Sequence, residues 1–186
     1  MKHIYHPIQG WSSFIFLYGE EVRWARDGAV FVEIGAWKGK STAYMAVEII
    51  NSDKNIEFHT VDTFEGSDEP VHHADPVVRE GRLEEVFREN IAPVAEHVIV
   101  HVGDSSDYAA AFADESVDFI FVDGAHTYEG VSKDLEAWWP KLKMGKRIAG
   151  DDWRWKSVHT AVEDFFGPDA DIEITPNGKH WWLRKT

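Results

Sequence analysis

The chain has no cysteine among its 186 residues, which excludes disulfide bonds, thiolate zinc sites and a cysteine nucleophile. This absence fits a reducing compartment, and we expect a cytoplasmic protein. Basic residues are also scarce, since 19 Lys and Arg stand against 33 Asp and Glu, for a formal net charge of −14. Because nucleic-acid backbones are bound by clustered Lys and Arg, this balance argues against a nucleic-acid partner.

Long apolar segments are missing as well. The longest continuous apolar run, Phe14–Tyr18, is far shorter than the roughly 20 residues that a membrane-spanning helix needs. Residues Met1–Pro7 lack the apolar stretch of a signal peptide. We therefore expect no membrane partner, and the length suits a single domain over residues 1–186.

The sequence does contain a regular alternation of strand-like and helix-like segments. The apolar positions of Thr127–Leu142 and Ser157–Phe166 recur with helical spacing, and Asp75-Pro76 predicts the start of a helix that runs to Ile91. This order predicts an α/β fold: a Rossmann-like doubly wound, mainly parallel seven-stranded sheet with helices on both faces. The predicted strands are Ala29–Ile34, Ile56–Asp62, His97–Val102, Val117–Val122 and Arg147–Gly150, then the weaker Ile172–Thr175 and His180–Leu183.

A polar segment, Gly66–Asp75, interrupts this alternation after the second predicted strand. Its composition predicts a loop rather than core. The loop is either a solvated connection or a lid over a ligand site, because it leaves the carboxyl end of a strand. The sequence leaves both interpretations open.

Acidic residues follow or close each of the first five predicted strands. In an open α/β sheet, the carboxyl ends of the strands line the ligand crevice, so we expect these acids to face a ligand. They are Glu33, Asp62, Asp104, Asp123 and the pair Asp151-Asp152.

The turn after the first strand discriminates between classes of ligand. A P-loop needs four residues between its first glycine and the Gly-Lys-Ser/Thr, but Gly35 and Gly39 enclose only three. A dinucleotide-binding turn needs glycine where Trp37 stands, and Glu33 would repel a nearby phosphate. A ligand with a positive centre and no phosphate, such as S-adenosylmethionine, meets neither objection.

Several motifs follow one another in a characteristic order: Glu33–Ser41, Asp62, Gly103–Ser105, Phe119–Val131 with Asp134-Leu135, and Gly150–Trp153. Together they resemble class I S-adenosylmethionine-dependent methyltransferases. Within that class they are most similar to the small metal-dependent O-methyltransferases of the macrocin and mycinamicin sugar methyltransferase and cephalosporin-hydroxylase-like group. The resemblance implies transfer of a methyl group from S-adenosylmethionine to a small-molecule hydroxyl, on a sugar-like acceptor or a vicinal diol.

The resemblance also implies which residues bind the cofactor. Asp62 matches the acid that binds the ribose, and Asp104-Ser105 match the turn on the adenine side. The full set of expected cofactor-binding residues is Glu33, Gly35, Gly39, Ser41, Asp62, Thr63, Asp104, Ser105 and Asp123.

A metal site is expected from three acids at neighbouring strand ends. Asp123, Asp151 and Asp152 offer hard oxygen ligands, which suit Mg²⁺, or Mn²⁺ or Ca²⁺, better than zinc. The matching acids of the resembling sugar methyltransferases bind a divalent metal.

His126 is the candidate general base, because imidazole titrates near neutral pH and the residue lies three positions after Asp123. In some relatives the base is an acid two positions after the metal-binding Asp, where this chain has Ala125.

Two alternatives to a metal-dependent enzyme stay open at this point. One is a metal-independent methyltransferase that acts on nitrogen or oxygen of a small molecule. The other is a protein that binds a nucleotide or cofactor without catalysis. The sequence names no acceptor, and it leaves the oligomeric state open, a homo-oligomer included.

Overall fold

The computed structural model of the protein describes residues 1–67 and 69–186, and these ranges contain eight α-helices and seven strands. Short 3₁₀ helices occupy Ala92–His97 and Trp139–Lys141. The helices are α1 (Ile15–Trp24), α2 (Lys40–Ser52), α3 (Pro70–Ala74), α4 (Pro76–Arg79), α5 (Leu83–Ile91), α6 (Ser105–Ala109), α7 (Tyr128–Trp138) and α8 (Lys156–Phe166). The strands are β1 (Ala29–Ile34), β2 (Ile56–Asp62), β3 (Ile99–Val102), β4 (Val117–Val122), β5 (Leu142–Gly150), β6 (Glu173–Ile174) and β7 (Trp181–Arg184).

The described strands form one sheet in the order β3-β2-β1-β4-β5-β7-β6. The first five strands are parallel, while β7 runs antiparallel to both β5 and β6. The strand order reverses between β1 and β4, and doubly wound sheets bind their ligands at such a reversal, beyond the carboxyl ends of the strands. The predicted fold class is confirmed.

The centre of the sheet is buried on both faces, as β4 shows most clearly. Phe119 and Phe121 pack into one apolar cluster with residues of α1 and α2, whereas Ile120 and Val122 pack into a second cluster with α7 and α8. Each fully buried side chain of this size contributes about 1.5–3 kcal/mol. The two clusters therefore hold the carboxyl ends of β1 and β4 on a rigid support.

The single helix predicted from Asp75 to Ile91 is wrong, because the structure has two helices there. Asp75 does cap a helix, since its carboxylate accepts a hydrogen bond from the backbone N–H of Val77 at 2.9 Å. That helix, α4, is short, and α5 begins only at Leu83 after a turn in which Gly81 has φ +66°. The left-handed conformation of this glycine breaks the helical path.

The boundary between α7 and β5 also differs from the prediction. The helix ends at Trp138, and a 3₁₀ turn follows in which Pro140 has no N–H to continue the helical bonding. Leu142, predicted as the last apolar position of the helix, is instead the first residue of β5. The strand therefore begins five positions before the predicted Arg147.

The predicted loop Gly66–Asp75 contains the helix α3 near its end. Asp68, which belongs to the same predicted loop, lies outside the described residues. None of the helices in the described part of the chain has the length and apolar character needed to cross a membrane.

Candidate active site

The turn that follows β1 touches the turn that follows β4. A Cβ atom placed on Gly35, whose φ is +88°, would lie 2.0 Å from the carbonyl oxygen of Asp123. The backbone N–H of Asp123 donates to the carbonyl of Ile34 at 2.8 Å. Only glycine permits this approach, so Gly35 fixes the two turns together at the strand-order reversal.

The carboxylate of Asp62, at the end of β2, organises the turn after β1. Its Oδ2 accepts backbone N–H bonds from Ala36 at 2.7 Å and Trp37 at 2.9 Å, and its Oδ1 accepts one from Phe64 at 2.7 Å. These bonds support Trp37 in a left-handed conformation with φ +50°. Asp62 is half-buried, and its Oδ1, which accepts one N–H bond, keeps a lone pair for a ligand hydroxyl.

Glu33 lies beneath this turn instead of facing the crevice. It is 1% exposed, and its carboxylate accepts hydrogen bonds from the hydroxyls of Tyr18 at 3.0 Å, Thr42 at 2.5 Å and Thr60 at 2.9 Å. Burial raises the pKa of Glu33, although these hydroxyls and that of Ser41 act in the opposite direction. Glu33 therefore joins β1 to α1, α2 and β2 from inside the core.

Two more of the expected cofactor residues, Gly39 and Ser41, are also buried. Gly39 precedes α2 with φ +84°, and a Cβ atom there would lie 2.9 Å from the Cγ2 of Ile91 in α5. These residues support the turn through packing.

The acid after β3 is engaged with neighbouring helices. Asp104 caps α6 by accepting from the backbone N–H of Ser106 at 3.0 Å, and its Oδ2 lies 2.8 Å from the ammonium of Lys133. Hydrogen bonds from Lys133 and Ser106 lower the pKa of Asp104. Thr63, after β2, is exposed, and its hydroxyl accepts a bond from the N–H of Glu65 at 3.3 Å.

Ser105 has a buried partner that sequence reasoning missed. Its hydroxyl donates a hydrogen bond to Oδ1 of Asp134, which lies on α7. Asp134 is 6% exposed, and burial raises its pKa to about 6 despite the bond from Ser105. The turn after β3 is thus anchored to α7 through a carboxyl group whose pKa is raised.

Three predicted residues meet at the ends of β4 and β5. Asp123, His126 and Asp152 each offer a ligand atom, and these atoms lie within 4.8 Å of one another. The Nε2 atom of His126 lies 2.8 Å from Oδ2 of Asp152 and 3.9 Å from Oδ1 of Asp123. Asp152 has φ +55°, a left-handed conformation that is uncommon for a residue other than glycine. We call these three residues the acid–imidazole cluster.

The charges of the cluster are mutually dependent. Burial by itself lowers the pKa of His126, but hydrogen bonds and charge from Asp123 and Asp152 outweigh it and raise the pKa to about 11. Burial raises the pKa of Asp123, the hydrogen bond from His126 lowers it, and the charges of Asp151 and Asp152 raise it further. The carboxyl groups of Asp123 and Asp152 therefore favour the imidazolium form of His126.

Asp151, the third expected metal ligand, is placed differently from Asp123 and Asp152. Its Oδ1 lies 2.7 Å from Nδ1 of His180 and accepts the backbone N–H of Asp152, also at 2.7 Å. His180 is fully buried just before β7. No sequence signal pointed to this pair, because it depends on the antiparallel pairing of β7 with β5.

The cluster has the chemistry of a site for a small cation. A cavity of about 10 Å³ beside it is lined by Asp123, His126 and Asp151 among others, which is about the volume that one water molecule needs. The carboxylate oxygens of Asp123 and Asp152 are hard donors of the kind that suits divalent ions such as Mg²⁺ and Mn²⁺, and His126 lies beside them. The residues present therefore fit a divalent metal.

The segment between β2 and α4 lies against the turn after β1, a contact that the sequence did not predict. The ammonium of Lys38 lies 2.6 Å from Oδ2 of Asp75 and 2.5 Å from Oε1 of Gln9. The ring of His72 stacks on Trp37 with centroids 4.1 Å apart. His72 and Asp75 therefore lie against the turn.

Comparison with known proteins shows which family has this arrangement. The profile of a methyltransferase domain matches residues 32–153, the part of the chain that contains the turn, Asp62 and the acid–imidazole cluster. Among solved structures, the O-methyltransferase NovP has a TM-score of 0.70 at 19% identity, over 92% of this chain and 78% of its own.

Two further structures share the fold. CalS11, a TDP-rhamnose 3′-O-methyltransferase of calicheamicin biosynthesis, has a TM-score of 0.61 at 19% identity, over 91% of this chain and 76% of its own. An S-adenosylmethionine-dependent O-methyltransferase from Thermotoga maritima has a TM-score of 0.60 at 13% identity, over 96% of this chain and 67% of its own. At these identities the likeness establishes the fold, while the domain profile establishes the family. This chain belongs to the methyltransferase domain family.

Proposed function

We propose that this protein transfers the methyl group of S-adenosylmethionine to a hydroxyl of a small molecule that carries a sugar-like or vicinal diol, with the help of a divalent cation. The observation that carries the proposal is the acid–imidazole cluster, which stands at the strand-order reversal beside the turn after β1. NovP, CalS11 and the Thermotoga maritima enzyme are named as O-methyltransferases, which favours oxygen as the atom that is methylated.

The residues at the mouth of the turn suit S-adenosylmethionine better than a phosphate-containing cofactor. Asp62 and Asp123 place negative charge on either side of the turn, which favours a sulfonium and an ammonium and disfavours a phosphate. The remaining lone pair on Oδ1 of Asp62 can accept a hydrogen bond from a ribose hydroxyl. The turn itself is held in place by three buried residues, Glu33, Gly39 and Ser41.

His126 is the group of this chain best placed to take the acceptor's proton. A lone pair of the acceptor oxygen forms the new bond to the methyl carbon, while the bond from that carbon to sulfur breaks and sulfur keeps its electrons as a thioether. The hydroxyl proton moves to Nε2 of His126, the ring nitrogen that faces Asp123 and Asp152.

Proton transfer requires a neutral imidazole, whereas the carboxylates around His126 favour its charged form. Asp123 and Asp152, with Asp151 beside them, are the residues that would hold a divalent cation. Such a cation supplies positive charge, which favours the neutral imidazole and lowers the pKa of an adjacent hydroxyl.

A metal-independent methyltransferase is the second candidate, and one observation favours it. An imidazolium at His126 supplies positive charge 2.8 Å from Asp152 and 3.9 Å from Asp123, so the charge of these acids is compensated without a metal. In that case the imidazolium would orient the acceptor, and the methylated atom would be a nucleophile that needs no strong base.

The experiment measures transfer of a labelled methyl group from S-adenosylmethionine to catechol and to nucleotide-linked deoxysugars, with Mg²⁺ or with a chelator. We expect product with Mg²⁺ and its loss after chelation. His126→Gln should lower kcat by about 10²–10⁴-fold, the usual contribution of a general base. His97→Gln, on an exposed residue of the 3₁₀ helix, is the matched control and should keep full activity.

The possible outcomes separate the candidates. Full transfer after exhaustive chelation would contradict the metal and support the second candidate. Transfer that survives His126→Gln would exclude His126 as the base. Absence of binding to S-adenosylmethionine would exclude methyl transfer altogether.

A further inference from the structure

We infer that Glu69 is a positioning residue for His126, and that the two side chains form a carboxylate–imidazole dyad completed by the segment after β2. The inference rests on the proposed function of His126. The Oε1 atom of Glu69 contacts Nδ1 of His126, while Nε2 of the same ring faces Asp123 and Asp152. The two ring nitrogens thus have separate surroundings: one meets Glu69, and the other meets the site of chemistry.

Glu69 comes from a part of the sequence that carries no catalytic motif. It precedes α3, and its backbone carbonyl accepts N–H bonds from His72 and His73, each at 3.0 Å. The hydroxyl of Ser67 lies 3.2 Å from Oε1 of Glu69. The backbone and the side chain of Glu69 therefore both have contacts within their own segment, in addition to the contact with His126.

The contact is shielded from water. The side chains of Glu69 and His126 are 18% and 16% exposed, so their attraction is screened less than that of a surface pair. The hydroxyl of Ser157 donates to the backbone carbonyl of His126 at 2.5 Å, and the ring of Trp155 lies 5.1 Å from the imidazole. These two contacts hold the backbone and one face of the ring, but neither orients its nitrogens.

Orientation matters because an imidazole can accept a proton through either nitrogen. A carboxylate at Nδ1 keeps a proton on that nitrogen and leaves the lone pair of Nε2 for the acceptor hydroxyl. Without Glu69, the ring could rotate or adopt the other tautomer, and Nε2 would lose its alignment with Asp123 and Asp152. Glu69 would thereby raise the rate of proton transfer without touching the acceptor itself.

The segment that carries Glu69 is also attached to the turn after β1. His72, three residues further on, stacks on Trp37, and its Nδ1 lies 2.6 Å from the hydroxyl of Ser67. Glu69 therefore lies between the turn proposed to bind the cofactor and the proposed base. Its position depends on contacts at both ends of the segment.

The first test observes the ring directly at a fixed pH. Nitrogen-15 NMR of the protein saturated with S-adenosylhomocysteine reports the proton on Nδ1 of His126, assigned by its disappearance in His126→Gln. We expect a strongly hydrogen-bonded proton in the wild type, an upfield shift in Glu69→Gln and a wild-type signal in Glu65→Gln. Glu65 is an exposed residue of the same segment and is the matched control.

The second test separates positioning from structural support. With an acceptor from the panel above, Glu69→Gln should lower kcat by about 10-fold or more, but by less than loss of the base itself, which costs about 10²–10⁴-fold. The KM for S-adenosylmethionine should stay unchanged. Glu69→Asp should restore part of kcat, because it returns the charge. Glu65→Gln should leave both constants at wild-type values.

An unchanged Nδ1 signal in Glu69→Gln, or an equal loss of kcat in Glu65→Gln, would overturn the inference. If the wild type methylates no acceptor, the proposed function fails, while the NMR signal still decides whether Glu69 holds the ring. The two failures are therefore distinguishable.

Discussion

Asp134 is a side chain whose acidity is set by burial, and its effect on stability has a definite sign. Its pKa is raised from the ordinary 3.8 to about 6, so the folded state binds the proton more tightly than the unfolded state. This contribution to stability is fully present below about pH 4 and is lost as the pH rises through about 6. Asp134→Asn removes this dependence and keeps an oxygen that accepts from Ser105.

Urea unfolding of the wild type and Asp134→Asn at about pH 4.5 and about pH 7.5 tests this prediction. We expect the wild type to lose stability relative to the variant between the two pH values. Asp171→Asn, at an exposed position, is the control for removal of a negative charge. If the free-energy difference between wild type and Asp134→Asn is the same at both pH values, Asp134 titrates as an ordinary surface acid.

Some site residues could be predicted because their positions depend on local order alone. Asp123 and His126 follow one strand within four residues, and Asp152 follows the next strand, so parallel pairing of β4 with β5 brings them together. Asp151 escapes the same reasoning because adjacent residues point in different directions. Its partner His180 arrives through an antiparallel strand whose register no local pattern specified.

Single elements show where periodicity is informative and where it is not. Asp75-Pro76 correctly indicated the start of a helix, but the predicted single helix to Ile91 is divided in two at Gly81. Likewise, the helical spacing of apolar residues in α7 continues to Leu142 and could not reveal that the helix ends before Pro140. Pattern predicts the type of an element, whereas single backbone-breaking residues set its ends.

The segment of residues 66–75 is attached to the turn after β1 by a shielded ion pair, and we expect this pair to contribute to stability. The side chains of Lys38 and Asp75 are 5% and 9% exposed, and their charged atoms lie 2.6 Å apart. Lys38→Met leaves the carboxylate of Asp75 without its cation, which should lower the free energy of unfolding by about 1.5–3 kcal/mol. Asp75→Asn keeps an acceptor for the N–H of Val77, so the cap of α4 survives.

A double-mutant cycle with Lys38→Met, Asp75→Asn and their combination measures the coupling in urea unfolding. We expect the double variant to be more stable than the sum of the two single losses indicates, since neither charge is then left alone. Lys133→Met, which removes an exposed cation paired with Asp104, is the comparison for a surface pair and should cost less. Additive losses for Lys38 and Asp75 would mean that the segment is held by packing alone.

At the scale of the whole molecule, the alternation of strands and helices predicted the parallel core of the sheet, because parallel strands require crossover helices. It did not predict that β7 inserts between β5 and β6, which follows from tertiary packing of Trp181 and Leu183 into the cluster beside α8. The insertion nevertheless matters for the site. It places His180 against Asp151, next to the acid–imidazole cluster.

A ligand that binds only the folded molecule should stabilise it as a whole. At 100 times its dissociation constant, S-adenosylmethionine or its demethylated product should add about 2.7 kcal/mol, or roughly 5–10 °C in Tm for a chain of this size. ATP should give no shift, because Asp62 and Asp123 repel its phosphates. Asp62→Asn should reduce the shift, since the amide has only one acceptor oxygen, and the exposed Asp169→Asn should leave it intact. Thermal denaturation with each ligand measures both effects.

Two results would contradict this prediction. A shift with ATP equal to that with S-adenosylhomocysteine would show that the turn after β1 binds nucleotides in general. A full shift in Asp62→Asn would show that the ribose is bound by other groups.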